Sequence, residues 1–153
     1  MRLSSMADYA VVTMSAAARH CGSHGAGGGR VSAAQLAAEA GLPVPTVQKL
    51  VSLLTAAGLL RSMRGARGGL QLARPPAAIT LADIVEAVEG PIALTACVDH
   101  GKQDCALECS CMARPHWDAV NAAMRGALAD VPLSRFVAAP EPQAAAPAKA
   151  GRA

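Results

Sequence analysis

Aromatic residues are almost absent from this chain, since Tyr9, Trp117 and Phe136 are the only three among its 153 residues. Proteins that bind single-stranded nucleic acids stack the bases on aromatic side chains, so this scarcity argues against that class of function. Apolar residues nonetheless make up 52% of the chain, and alanine is the most frequent of them. Small apolar side chains suit closely packed helices, so the composition favours a mainly helical fold.

The chain also lacks long apolar runs and an export signal. Its apolar runs fall well short of the roughly 18–20 residues that a membrane-spanning helix requires, which excludes a membrane protein. The N-terminal residues do not show a basic stretch, an apolar core and a cleavage site in that order. We therefore expect a cytoplasmic protein with no membrane partner.

Acidic residues are missing between Glu39 and Asp83. The five basic residues of that stretch are Lys49, Arg61, Arg64, Arg67 and Arg74. The next stretch, from Asp83 to Glu108, carries six acidic residues against one base, Lys102. This polarity indicates that the first stretch faces a polyanion, the alternative being a chance clustering of surface charges.

Helical spacing of apolar residues predicts a first helix over about Ser4 to His20 and a short second helix capped by Ser32. A third helix starts near Pro45, because proline at a first helical position loses no hydrogen bond, and ends at Gly58. Two extended runs, Leu59–Ser62 and Leu70–Ala73, alternate apolar and polar residues on either side of a glycine-rich turn. This pattern predicts a β-hairpin.

The second half of the chain is predicted to hold two more helices. Thr80 begins a fourth helix, and a longer fifth helix runs from about Ala113 to Ala129. Its apolar seam comprises Trp117, Val120, Met124 and Leu128, with Asp118 and Arg125 on the opposite side. The segment between these helices, Cys97 to Cys111, has no periodicity and is predicted to be a loop.

Two short helices joined by a turn and followed by a glycine-rich hairpin describe a winged helix-turn-helix, whose second helix enters the major groove of DNA. Glutamine and threonine can read base edges there, and arginine at a wing tip suits phosphates or the minor groove. The candidate DNA-binding residues are Pro45, Thr46, Gln48, Lys49, Arg61, Arg64, Gly65 and Arg67. The hairpin alone would also fit a plain surface turn. A phosphate loop is excluded because the Lys-Ser/Thr ending is missing.

Four of the five cysteines crowd into 15 residues, at positions Cys97, Cys105, Cys109 and Cys111. In a reducing compartment such clustered thiols indicate metal ligands rather than disulfides. The spacing fits an iron–sulfur cluster, and zinc or unmetallated thiols remain open as alternatives. A thiol enzyme is disfavoured because no histidine is placed by pattern as a base. We read Cys21 as incidental.

The chain resembles the Rrf2 family of bacterial winged helix-turn-helix regulators, including its IscR-like members, over about Met1 to Phe136. The resemblance rests on MADYA at residues 6–10, on GLPVP at residues 41–45 and, most specifically, on RGARGG at residues 64–69. The likeness is closest to the branch that regulates Suf iron–sulfur assembly, with RirA-like cysteine spacing. It implies a homodimeric regulator that binds double-stranded DNA and is no enzyme.

The resemblance also implies an iron–sulfur cluster, [2Fe–2S] or [4Fe–4S], held by Cys97, Cys105 and Cys111. Arg114 stands where IscR-like proteins carry a histidine ligand. The fourth ligand is therefore open between Cys109, Asp8, His116 and an exogenous group.

The resulting organisation has four parts: a winged helix-turn-helix domain at 1–90, a cluster-binding loop at 91–112, a dimerisation helix at 113–137 and a disordered tail at 138–153. The expected function is a cluster-sensing repressor of iron–sulfur assembly or iron-homeostasis genes. The alternatives are a zinc-stabilised winged-helix module without cluster sensing and a nitric-oxide-responsive repressor.

Overall fold

The computed structural model describes residues 3–21, 29–65, 68–98 and 111–137. Its helices and strands are α1 (Ser5–Cys21), α2 (Ala33–Ala40), α3 (Val44–Ala56), β1 (Leu60–Met63), β2 (Gly69–Leu72), α4 (Leu81–Glu89) and α5 (Arg114–Ala129). Short 3-10 turns occur at Pro76–Ala78 and Leu133–Phe136. The predicted fold class, mainly helical with a small hairpin, is confirmed. No helix within these ranges is long and apolar enough to cross a membrane.

The core forms around α1, which packs against α2 and α4. Alanines on α1 are buried almost completely and allow its neighbours to approach closely; they are Ala7, Ala10, Ala16, Ala17 and Ala18. Larger side chains, including Met14, Leu36, Leu50 and Ile84, fill the space between the helices. The core is therefore stabilised by many contacts between small and aliphatic side chains rather than by a few large aromatic ones.

Side-chain caps fix where α2 and α4 begin. The Ser32 hydroxyl accepts from the Gln35 N–H (3.1 Å) while the Gln35 side chain accepts from the Ser32 N–H (2.9 Å). Thr80 and Asp83 form the same reciprocal pair at α4. Each pair satisfies backbone donors that the first turn of a helix leaves free, as the sequence predicted for Ser32.

Helix α3 begins one residue earlier than predicted, at Val44, with Pro43 in extended conformation ahead of it. Pro45 therefore stands at the second helical position, where its missing N–H is still no loss. The helix ends at Ala56, and Gly58 follows with a φ of 71°. Gly41 turns the chain between α2 and α3 with a φ of 65°, a conformation that favours glycine.

Both strands of the hairpin lie one residue away from their predicted bounds. Antiparallel pairing places Leu60 opposite Leu72 and Met63 opposite Gly69. Alternating burial occurs only in β2, because Leu60 alone of the β1 residues lies over the core and the rest of that strand projects outward. A third short partner was not predicted: Val31 exchanges two backbone hydrogen bonds with Leu70 (3.1 and 2.8 Å).

The chain after α5 returns to the body and pairs with the segment ahead of α4. The Leu81 N–H donates to the Val131 carbonyl (2.9 Å), and the Leu133 N–H donates to the Ile79 carbonyl (2.8 Å). The Leu133 side chain is completely buried in the core. The segment predicted as a dimerisation helix therefore also contributes to the core of the winged-helix body.

Helix α5 turns part of its polar side toward α4 and leaves part of its apolar seam exposed. Asp118 and Arg125 line the groove that faces α4, whereas Trp117 and Val120 of the apolar seam are 38% and 47% exposed. None of the α5 side chains is fully buried. The apolar seam of α5 is therefore only partly covered by its own chain. The predicted tail, 138–153, lies outside the described residues.

Replacing Leu133 with alanine should destabilise the protein by about 2–5 kcal/mol, because it removes a fully buried side chain and leaves a cavity. Urea unfolding followed by circular dichroism measures the change. Leu3→Ala is the matched control, since Leu3 is 39% exposed and its loss should cost much less. Equal effects of the two substitutions would show that the returning segment is not part of the core.

Candidate DNA-binding surface and thiol site

Helix α3 presents one buried and one exposed face. Val47, Leu50 and Leu54 are completely buried against the body. The opposite face exposes Pro45, Gln48 and Lys49, three of the predicted base- and phosphate-contacting residues. Thr46 lies at the edge between the faces and is half-buried. The structure therefore leaves the predicted contact residues of α3 on its outer side.

The amino end of α3 carries no side-chain cap. Pro43 precedes the helix without a side-chain hydrogen bond to the first turn. Free N–H groups and the helix dipole give this end a partial positive charge that attracts phosphate. The proline-framed start of α3 is thus suited to a DNA backbone contact beside the outward-facing Gln48 and Lys49.

The wing exposes the two of its arginines that the structure describes. Arg61 in β1 and Arg64 after it are both exposed, and Gly65 turns the chain with a φ of 105°. Gly68 closes this turn, its N–H donating to the Gly65 carbonyl (2.7 Å). A Cβ at Gly68 would lie 2.5 Å from the Met63 carbonyl oxygen, so the turn requires glycine there. Arg67 lies outside the described residues.

Two arginines change the charge map drawn from the sequence. Arg74 lies 3.5 Å from the Asp83 carboxylate and donates to the Ala78 carbonyl (3.3 Å), so it belongs to the structural frame of α4. Arg30, which precedes the acid-free stretch in sequence, is exposed beside the hairpin, its Cβ next to Gly69. Sequence reasoning missed Arg30 because only the pairing of Val31 with β2 brings it to the wing.

Cys97 lies in a turn at residues 96–98, in the segment between α4 and α5. Its thiol is half-buried and its Sγ is 3.1 Å from the Thr95 hydroxyl. The Val98 N–H donates to the Thr95 carbonyl (3.2 Å), and the Val98 side chain is buried. These contacts give the first predicted ligand a defined place on the body.

The turn that carries Cys97 is attached to α5 by one side chain. The Asn121 amide accepts from the Leu94 N–H (3.0 Å) and donates to the Ile92 carbonyl (2.9 Å). One turn further on, Arg125 makes two hydrogen bonds to the Glu86 carboxylate of α4 (2.8 and 2.9 Å). The hydrogen bond to Glu86 is the largest cause that raises the pKa of Arg125 above its usual value, and the negative charge of Glu86 is the second.

Sequence reasoning did not single out Asn121. An asparagine inside a helical stretch carries no pattern of its own. Only the tertiary placement of the 92–94 backbone gives it both a donor and an acceptor.

Cys111 is half-buried just before α5, so the two candidate ligands that the structure describes, Cys97 and Cys111, lie on the α4 side and the α5 side of the cysteine segment. Both are free thiols, and this pair of soft donors fits an iron–sulfur cluster or zinc. Cys105 and Cys109 lie outside the described residues. Among the residues that are described, no three metal-ligating side chains come together.

The two non-cysteine candidates for a fourth ligand are both exposed. His116 lies in the first turn of α5. Asp8 lines an open cavity of about 410 Å³ between α1, Leu81 and Phe136. The described lining of that cavity contains no cysteine.

Comparison with known proteins places the chain among bacterial regulators. Residues 3–139 match the Rrf2 family, described as iron-dependent transcriptional regulators. Protein aau3 of Rhizobium meliloti is 34% identical over 128 residues, which cover 84% of this chain and 75% of that protein. The regulator IscR of Photobacterium profundum is 30% identical, covering 90% and 76%.

A solved structure shows the same fold. CymR, the global cysteine regulator of B. subtilis, superimposes with a TM-score of 0.66 at 28% identity, covering 90% of this chain and 96% of CymR.

Replacing Arg64 with alanine should weaken binding to duplex DNA and lower the slope of log K against log salt by about 1, because one phosphate contact is lost. Fluorescence anisotropy at several salt concentrations measures both quantities. Arg74→Ala is the control, since Arg74 is engaged with Asp83 and its loss should leave the slope unchanged. An unaltered slope in the Arg64 variant would remove this residue from the DNA surface.

Proposed function

The chain belongs to the Rrf2 family of transcriptional regulators, and from that premise we propose that it is an iron–sulfur cluster-sensing repressor of cluster-assembly or iron-homeostasis genes. The family consists of DNA-binding regulators and not of enzymes, as the sequence predicted. The observation that carries the proposal is the placement of Cys97 and Cys111 at the two ends of a cysteine-rich segment that joins α4 to α5.

The DNA-binding part of the proposal rests on the exposed face of α3 and on the wing. Gln48 and Thr46 would read base edges in the major groove, with Lys49 at the phosphates. Arg61, Arg64 and Arg67 would contact phosphates or the minor groove beside it, with the backbone of Gly65 close to the DNA. A homodimer would place two such units on a pseudo-palindromic operator with half-sites about 34–68 Å apart.

The cysteine segment supplies the sensing part. Cys97, Cys105 and Cys111 would hold the cluster, and Cys109, Asp8, His116 or an exogenous group would complete its ligands. When bound, the cluster would link the thiolates to one another. A sufficient iron supply would allow this link to form, and oxidation would break it. Relatives in the same family include a regulator named for cysteine, so the cysteine spacing, and not family membership alone, supports the cluster.

The cellular setting follows from the same residues. Thiols that serve as metal ligands persist in a reducing compartment, so we place the protein in the cytoplasm. The resemblance to the Suf-system branch makes genes for cluster assembly the first targets to examine.

Protein purified without oxygen should be coloured, should contain iron and sulfide, and should lose its visible absorbance when Cys97, Cys105 or Cys111 is replaced by serine. Absorbance spectra and metal analysis after anaerobic reconstitution measure this. Cys21→Ser is the control, because Cys21 lies at the end of α1, away from the cysteine segment in sequence. Full colour in the triple serine variant would contradict the cluster assignment.

The zinc alternative predicts a different outcome of the same experiment. A zinc-stabilised module would be colourless, would contain zinc, and would bind DNA equally well with and without oxygen or iron. A nitric-oxide-responsive repressor would be coloured but would release DNA on nitric oxide treatment rather than on iron limitation.

Trp117 and Val120 on α5 and Met112 just before it support the proposed homodimer, because they leave apolar surface exposed, Met112 to 90%. Val120→Glu should shift the protein from dimer to monomer, since it places a charge in that surface. Analytical ultracentrifugation measures the mass. Ala34→Glu adds the same charge on an exposed position of α2 and should leave the dimer intact. A dimer that is unaffected by Val120→Glu would move the interface elsewhere.

A further inference from the structure

Asn121 joins two parts of the molecule that are far apart in sequence. It lies on α5, 27 residues after Leu94 and 29 after Ile92, yet its amide bonds to the backbone of both. The 92–94 segment offers one donor and one acceptor at this point. A carboxamide carries one acceptor oxygen and two N–H donors on a single planar group, so asparagine matches both where aspartate or leucine would not.

The segment that Asn121 holds leads directly to Cys97, the first of the four clustered cysteines. Only Thr95 and Ala96 separate Leu94 from Cys97, and this stretch is ordered by the Val98 N–H bond to the Thr95 carbonyl and by the contact of the Thr95 hydroxyl with the Cys97 sulfur. The buried side chain of Val98 anchors the far end of this turn. A short, hydrogen-bonded stretch therefore links Cys97 to the Asn121 amide.

The other neighbours of Asn121 connect the same point to the rest of the protein. Val120, the residue before Asn121 on α5, belongs to the exposed apolar seam. Arg125, one turn later, fastens α5 to Glu86 of α4, and α4 packs against α3. Asn121 thus lies where the cysteine segment meets the helix that bears the proposed dimer surface.

We infer that Asn121 is a positioning residue that fixes Cys97 relative to α5 and couples the state of the cysteine segment to operator binding. This inference rests on the proposed function for its second half, but the first half concerns the metal-free protein alone. Asn121 touches no ligand in this role, since it acts through the 92–97 backbone. Loss of its amide frees the Cys97 turn while leaving the thiols themselves in place.

The first test uses the metal-free protein. Asn121→Leu should raise the alkylation rate of Cys97 by iodoacetamide on the order of tenfold, the factor expected when two ordinary hydrogen bonds no longer hold the turn. Peptide mass spectrometry reads each cysteine separately, with Cys21 as the internal reference. Asn121→Asp keeps an acceptor for the Leu94 N–H and loses the donor to Ile92. The alkylation rate of Cys97 in this variant should therefore lie between the rates in the wild type and in Asn121→Leu.

Asp118→Asn is the matched control, since Asp118 lies one turn earlier on α5 and lines the same groove between α4 and α5. It should leave the Cys97 rate unchanged. A rate in Asn121→Leu equal to the wild-type rate would overturn the inference. Melting temperatures of all variants are compared, and if the leucine variant does not fold, the aspartate variant carries the test.

The second test uses duplex DNA selected by the wild-type protein from a random pool. Asn121→Leu should still bind the iron–sulfur cluster, as measured by its visible absorbance. The ratio of its operator affinities with and without the cluster should fall about tenfold toward 1. If the wild type shows a ratio and the variant keeps it, the inference is wrong and the proposed function stands. If the wild type shows neither colour nor ratio, the proposed function fails, and the alkylation rates alone decide the role of Asn121.

Discussion

The pairing of the chain after α5 with the segment ahead of α4 is the constraint on which the rest of this structure depends. Hydrogen bonds from Leu81 to Val131 and from Leu133 to Ile79, together with the burial of Leu133, fix the carboxyl end of α5 on the body. The Arg125–Glu86 contact fixes its middle. Because α4 ends and α5 begins at defined places, the cysteine segment between them is attached at both ends.

These two attachments distinguish the cysteine segment from a free loop. Under the proposed function, a change in the spacing of the thiols would shift α5 relative to the body, whereas in an untethered loop it would be absorbed locally. The helix that would move carries the exposed apolar seam, and a small shift at a dimer surface becomes a change in the separation of two DNA-binding units. A ligand that favours one pose by about 5.5 kcal/mol would move the population from 1:99 to 99:1.

Local chemistry made much of the fold predictable from sequence. The capping pair of Ser32 and Gln35 and the glycine-rich turn at Gly65–Gly69 depend on residues within a few positions of each other, so the sequence pattern specifies them directly. The strand bounds were off by one residue, because the register is set by pairing across the turn and not by alternation in each strand.

The features that escaped prediction all depend on tertiary placement. Val31 and Arg30 come to the wing through the bridge between Val31 and Leu70 of β2, Arg74 pairs with Asp83, and Asp118 and Arg125 of α5 line the groove that faces α4. For the candidate site, the exposed face of α3 follows from helical period alone. The role of Asn121 could not be found in this way, since its partners are backbone groups almost thirty residues distant.

The central claim is that the state of the cysteine segment controls DNA binding, and an anaerobic titration of selected operator duplex with wild-type protein tests it most directly. The measurement compares the dissociation constants of the iron- and sulfide-containing protein and of the same preparation after chelation. The account predicts constants that differ by at least tenfold, with the difference abolished when Cys97 is replaced by serine. Equal constants for iron-containing and iron-free wild-type protein would contradict it.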